Sequence, residues 1–269
     1  MLIIGERINA TRKRISEAVQ RGDACCIREE ARRQVAAGAG LLDVNGGIPG
    51  HEAEYLCWLV NIVQEEADVP LCLDSADAGA LGRALPLCRK QPMINSITLE
   101  PERLEPLLPL AREHRARVIA LCMSESGPPS GVDGRVDAAA RLVDRLTSAG
   151  IPIGDIYVDP CVFPLSTGTE HGPALLEAIG RIRARYPGVH TSCGVSNVSF
   201  GLPVRKLLNE VFLVMLVAHG LDAAIIDPCQ EGIAARIAAA EALAGRDEFC
   251  QQYLLAFRSG ILEPRRPAC

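Results

Sequence analysis

The chain has 269 residues, close to the roughly 250 that eight strand–helix units need, and a hydrophobic share of 48% that can fill one large core. A net charge of −5 gives no electrostatic reason to bind nucleic acid or an anionic membrane. The opening MLIIGERIN is too short and too quickly charged for a secretory signal, and the most apolar stretch, 211–218, falls far short of the roughly 20 residues of a membrane span. A cytoplasmic location with no membrane contact is therefore expected.

Short aliphatic runs fall in chain order at 2–4, 41–44, 70–73, 92–94, 118–122, 156–158, 190–195 and 223–226. Such runs suit parallel strands buried on both faces. Segments with apolar residues at spacings of three and four follow at 25–38, 52–67, 77–89, 102–114, 135–149, 173–186, 203–219 and 230–244. Strands alternating with helices imply a parallel sheet. Eight units in this length predict an α/β fold, a (β/α)8 TIM barrel forming a single domain over residues 1–269. No G-x-G-x-x-G follows the first strand, which argues against an open dinucleotide-binding sheet. The stretch SESGPPSGVDG, residues 124–134, reads as a long loop, and the tail ILEPRRPAC as frayed.

The eleven cysteines contain no C-x-x-C pair, and several lie inside apolar strands, Cys72 in VPLCLD and Cys122 in VIALCM. There a thiol packs as a small hydrophobe. The five histidines, at 51, 114, 171, 190 and 219, fall mainly on helices or connections, so no intrinsic metal is expected.

Active sites of such barrels lie at the carboxyl ends of the strands. Those ends carry Glu6 and Asn9 in GERIN, Asp43 and Asn45 in LDVNGG, Asp74 in CLDS, Asn95 in MINS, Asp159 in YVDP, Ser196 and Asn197 in GVSNVS, and Asp227 in IIDP. Singly, an Asp or Asn just before a helix is a good N-cap, and Asp74-Ser75, Asn95-Ser96 and Asp227-Pro228 have that form. Together, carboxylates converging on one mouth repel each other unless a ligand donates to them. A pterin offers its 2-amino group and N3–H as a planar two-donor edge that a carboxylate can accept. Its carbonyl and ring nitrogens suit Asn, which both donates and accepts.

The opening MLIIGERIN and the strings LDVN, LCLDS, MINS, YVDP and GVSNVSFG, in that order, resemble the methyltetrahydrofolate:corrinoid/iron–sulfur protein methyltransferases. They also resemble the folate domain of cobalamin-dependent methionine synthase. The resemblance implies a pterin-binding barrel that moves the N5-methyl group between methyl-tetrahydrofolate and a cobalamin held by a separate corrinoid protein. It places Asp74, Asn95 and Asp159 on the pterin ring and Asn197 at N5 as the catalytic residue. Asp43 and Asn45 fall in the same pocket, and Gly194 and Ser196 shape the backbone beside Asn197. Departures lie around 164–172 and in FGLPVRK after Ser199, surfaces that would set the partner.

Two alternatives share the fold. Dihydropteroate synthase holds a diphosphate leaving group with Lys and Arg, and neither GVSN nor IIDP carries a cation. A non-catalytic folate-binding subunit that only docks a corrinoid protein would have no need of Asn197. The segment 203–219 contains VFLVMLV, apolar around its whole circumference. An outer barrel helix of that kind predicts a two-fold homodimer, unless a C-terminal helix at 247–258 covers it within one chain.

Overall fold

A computed structural model describes residues 1–262; most of the tail expected to fray, 263–269, lies outside the described residues. The strands are β1 (Leu2–Asn9), β2 (Leu41–Asn45), β3 (Leu71–Asp74), β4 (Met93–Ile97), β5 (Arg117–Leu121), β6 (Ile156–Asp159), β7 (His190–Gly194) and β8 (Ala223–Ile226). All pair in parallel, in sequence order, and β8 closes on β1. The helices are α1 (Lys13–Arg21), α2 (Ala24–Ala36), α3 (Glu52–Glu66), α4 (Ala78–Ala84), α5 (Pro101–Glu113), α6 (Gly131–Ser148), α7 (His171–Arg185), α8 (Arg205–Ala218), α9 (Ile233–Leu243) and α10 (Gln251–Arg258). The fold is the expected (β/α)8 barrel.

Side chains alternate across each strand, and that alternation makes two cores. Leu42, Val44, Leu73, Ile94, Val118 and Val158 point outward and pack under the helices. Ile4, Leu41, Cys72, Met93, Ile119, Tyr157 and Ala223 form a separate cluster that fills the barrel interior. Cys72 and Cys122 are buried thiols, as packing residues should be.

Some elements differ from the sequence reading. The short helix α1 precedes α2; its buried face is only Ile15, Ala18 and Val19, too small a signal among charged neighbours. The first strand runs to Asn9 rather than ending at Ile4. Helix α6 begins at Gly131, inside the stretch expected to be loop. At the C-terminus, a 3-10 turn (Glu248–Cys250) leads into α10, which packs on α9. The exposed face of α8, with Leu207, Val211 and Met215, is thus not covered by the C-terminal helix. No described helix is long and apolar enough to cross a membrane.

Candidate active site at the barrel mouth

The rim residues are the next interior-facing positions above the apolar floor. Two residues beyond Ile4 stands Glu6; beyond Leu41, Asp43 and then Asn45; beyond Cys72, Asp74; beyond Met93, Asn95; beyond Tyr157, Asp159. The register sets Asp74 directly beside Asn95 and Asn45 beside Asn9. A period of two therefore turns one apolar layer into a ring of acids and amides.

Four of these residues interlock. Asn95 Nδ2 donates to Asp43 Oδ1 at 3.2 Å, and Asn45 Nδ2 donates to Asp74 Oδ2 at 2.9 Å. Asp43 is 2% exposed. Burial, reinforced by the Asp74 charge, pushes its carboxyl up to about 8. Burial also raises Asp74, opposed by the Asn45 bond and the Arg103 guanidinium. Neither Asp74 nor Asn95 caps a helix. The α4 cap is Asp77, whose side chain accepts from the Gly79 N–H, and α5 has no side-chain cap bond.

A second group stands across the mouth. Asp159 Oδ1 accepts the Cys161 N–H at 2.9 Å, and burial pushes the carboxyl up to about 7 against the pull of the Cys161 and Gly194 backbone N–H groups. Beyond β7 the chain turns through a 3-10 segment, Val195–Ser199, that carries Ser196 and Asn197. Asn197 is exposed, its carboxamide makes no hydrogen bond with the described residues, and no side chain caps the segment. A Cβ at Gly194 would stand 3.4 Å from Asn197 Nδ2, so the glycine leaves room for the amide to lie close. Ser196 takes part through its carbonyl, which accepts from Arg205 at 2.7 Å.

The remaining strand-end residues have local partners. Asn9 Oδ1 turns back to the Thr11 N–H and hydroxyl, at 2.9 and 2.7 Å. Asp227 accepts from Arg7 at 2.6 Å and from the Cys229 N–H at 2.9 Å, in keeping with its turn-like sequence. Glu6 has no hydrogen-bond partner among the described residues. Its nearest cation is Arg12 at 3.9 Å, and burial pushes it up to about 7.

Guanidinium groups that the strand-end acids and amides do not show also surround the mouth, although GVSN and IIDP themselves carry no cation. Arg7 also pairs with Glu30 of α2; Arg103 donates to the Ser96 carbonyl at 3.0 Å; Arg205 binds Ser196 and, at 3.0 Å, Ser199 Oγ. Arg7 was legible in GERIN, but its partners lie 23 and 220 residues away. Among the described residues, no group of three or more His, Cys, Asp or Glu is placed to hold a metal.

The sequence pattern described as "Pterin binding enzyme" matches residues 5–227. The chain is 36% identical over 267 residues to the methylcorrinoid:tetrahydrofolate methyltransferase of Eubacterium limosum, covering 98% of each. It is 33% identical over 240 residues to the methionine synthase of Mycobacterium tuberculosis, covering 84% of this chain but 20% of that protein. In structure it is similar to dihydropteroate synthase from Xanthomonas albilineans in complex with 7,8-dihydropteroate, with a TM-score of 0.70 over 92% of this chain and 93% of that one. At 17% identity that likeness shows a shared fold. The family pattern begins beside Glu6 and ends at Asp227, spanning every strand end of the mouth, and the chain belongs to the pterin binding enzyme family.

Proposed function

We propose that this protein is a methyltransferase that moves the N5-methyl group between methyl-tetrahydrofolate and a corrinoid presented by a partner protein in the cytoplasm. The observation that carries the reading is the pairing of a partly buried acid–amide ring with a carboxamide at its edge, Asn197, that is free of hydrogen bonds among the described residues. Near-full-length similarity to a methylcorrinoid:tetrahydrofolate methyltransferase supports it.

Asp74, Asn95 and Asp159 hold the pterin ring, with Asn45 bonded to Asp74 and Asp43 bonded to Asn95. Carboxyls raised by burial prefer to give up their protons when a planar N–H edge donates to them. Asn197 meets N5. A neutral tertiary amine is a poor leaving group, because the electron pair of the broken C–N bond stays on nitrogen. A carboxamide that donates to N5 as charge builds stabilises the transition state more than the bound substrate. Because an amide both donates and accepts, it serves methyl transfer in either direction.

The corrinoid is the second substrate, and its partner protein brings it to the mouth. Phe200 and Val204, 65% and 73% exposed just beyond Asn197, give that approach an apolar surface. The mouth guanidinium groups Arg7, Arg103 and Arg205 are already engaged by protein oxygens, which disfavours holding a diphosphate leaving group there.

Folate binding requires no metal in this reading. Methyl-tetrahydrofolate should bind in the micromolar range, about −8 kcal/mol, in calorimetry with EDTA present. Absence of binding heat, or binding lost on chelation, contradicts it.

The same reading pairs two copies of the chain through α8, where Leu207, Val211 and Met215 recur every four residues and are exposed. Light scattering should give twice the chain mass at micromolar concentration. Val211→Lys should halve it, since a buried unpaired ammonium is costly. A wild-type monomer contradicts the pairing.

A further inference from the structure

Resting on the folate reading, we propose that the Glu6 carboxyl exchanges the proton of the pterin N5 during methyl transfer. Every other rim carboxyl among the described residues is committed. Asp43 accepts from Asn95, Asp74 from Asn45, Asp159 from the Cys161 N–H, and Asp227 from Arg7 and the Cys229 N–H. Glu6 accepts no hydrogen bond among the described residues, and its side chain keeps 21% of its surface open.

Its placement follows from β1. The pairing of β1 with β2 shifts register between Gly5 and Ile8, the span that contains Glu6. Irregularities of this kind re-aim side chains near functional sites. In the barrel order only β8 separates β1 from β7, which leads to Asn197, whereas Asp74 and Asn95 hold the arc of β3 and β4. A pterin gripped at β3, β4 and β6 and met by Asn197 at N5 presents its N5 edge toward the β1 side.

Four charged groups face Glu6: Arg12 from the turn before α1, Asp227 at the end of β8, Arg205 from α8 and Asp43 from β2. Arg12 and Arg205 favour its charged form, while burial and Asp227 oppose it. The balance leaves the carboxyl titrating near neutrality, where one group can both give and take a proton efficiently. Asn197 cannot fill that role, because a carboxamide donates without releasing its proton.

The step balances in both directions. When methyl-tetrahydrofolate is the donor, the N5–CH3 bond breaks as the reduced corrinoid supplies the electron pair of the new cobalt–carbon bond. The C–N pair stays on N5 and takes the proton of the Glu6 carboxyl. In reverse, the N5 pair forms the bond to the methyl carbon, the cobalt–carbon pair returns to the corrinoid, and the N5 proton passes to the Glu6 carboxylate. Solvent restores Glu6 in each case.

The test compares wild type, Glu6→Gln and Glu6→Asp in single turnover with methyl-tetrahydrofolate and free cob(I)alamin across pH 5.5 to 9. Melting temperature and calorimetric folate affinity are measured alongside. Glu6→Gln should lose about 10²-fold in rate at saturating folate, lose the pH limb near neutrality and keep its folate affinity and melting temperature. Glu6→Asp should recover part of the rate with a displaced limb. A Glu6→Gln rate and pH profile matching wild type overturns the proposal, as does a loss confined to folate affinity. A wild type that transfers no methyl group overturns the folate reading itself, which keeps the two failures apart.

Discussion

Alanine at Asn197 is expected to lower the methyl-transfer rate by roughly 10²–10³-fold at saturating folate, the scale seen when one transition-state donor is removed. Folate affinity should fall far less, because Asp74, Asn95 and Asp159 remain. The melting temperature should hardly move. The Asn197 carboxamide has no hydrogen bond to lose among the described residues, and it caps nothing in the 3-10 segment that carries it. Exposed positions of this kind change stability by about 0.5 kcal/mol or less. The effect should sit in the rate constant, the mark of a bond that strengthens only as N5 gains electron density. Single-turnover kinetics with a melting curve checks this. A stable variant that transfers at the wild-type rate removes Asn197 from the chemistry, and a destabilised one returns it to a structural role.

Alanine at Asp159 should act on the other side of that division. Its carboxyl is buried at the end of β6, pushed up to about 7 by burial against the Cys161 and Gly194 backbone N–H groups, and accepts the Cys161 N–H. An N–H edge of the pterin would find an acceptor there already desolvated by the protein. Losing a charge-assisted bond of this kind costs about 1–3 kcal/mol, roughly 5–150-fold in folate affinity. The Cys161 N–H loses its acceptor as well, so a modest fall in melting temperature should accompany the change. Asp159→Asn restores an acceptor for Cys161 and should recover the stability without recovering the full affinity. Calorimetric titration of both variants decides. Unchanged affinity in Asp159→Ala would take the residue out of the folate site.

The legible part of this protein was what a period of two can carry. Aliphatic runs that break into Asp or Asn after two or four residues gave the barrel and named Asp43, Asn45, Asp74, Asn95 and Asp159 as its mouth. What each of those side chains does was not legible. Asn9 and Asn45 look alike in sequence, yet Asn9 folds back on Thr11 while Asn45 reaches Asp74 across to the next strand. Asp77, not Asp74, caps α4, a choice made by a two-residue turn that composition does not fix. The arginines escaped for a related reason. Arg7 finds Glu30 on α2 and, once the barrel closes, Asp227 past β8, while Arg205 finds a backbone carbonyl nine residues back, an acceptor that no side-chain pattern announces. Helix α1 was missed because its short buried face is surrounded by charged and polar residues.

Methyl transfer itself is the most direct test. Purified protein is mixed with methyl-tetrahydrofolate and free cob(I)alamin, or with tetrahydrofolate and methylcobalamin, in EDTA, and the corrinoid spectrum is followed in the visible. The account predicts enzyme-dependent conversion between the two corrinoid spectra, saturable in folate and slowed roughly 10²–10³-fold by Asn197→Ala. Tight folate binding with no conversion in either direction, in the presence of either corrinoid, would contradict it.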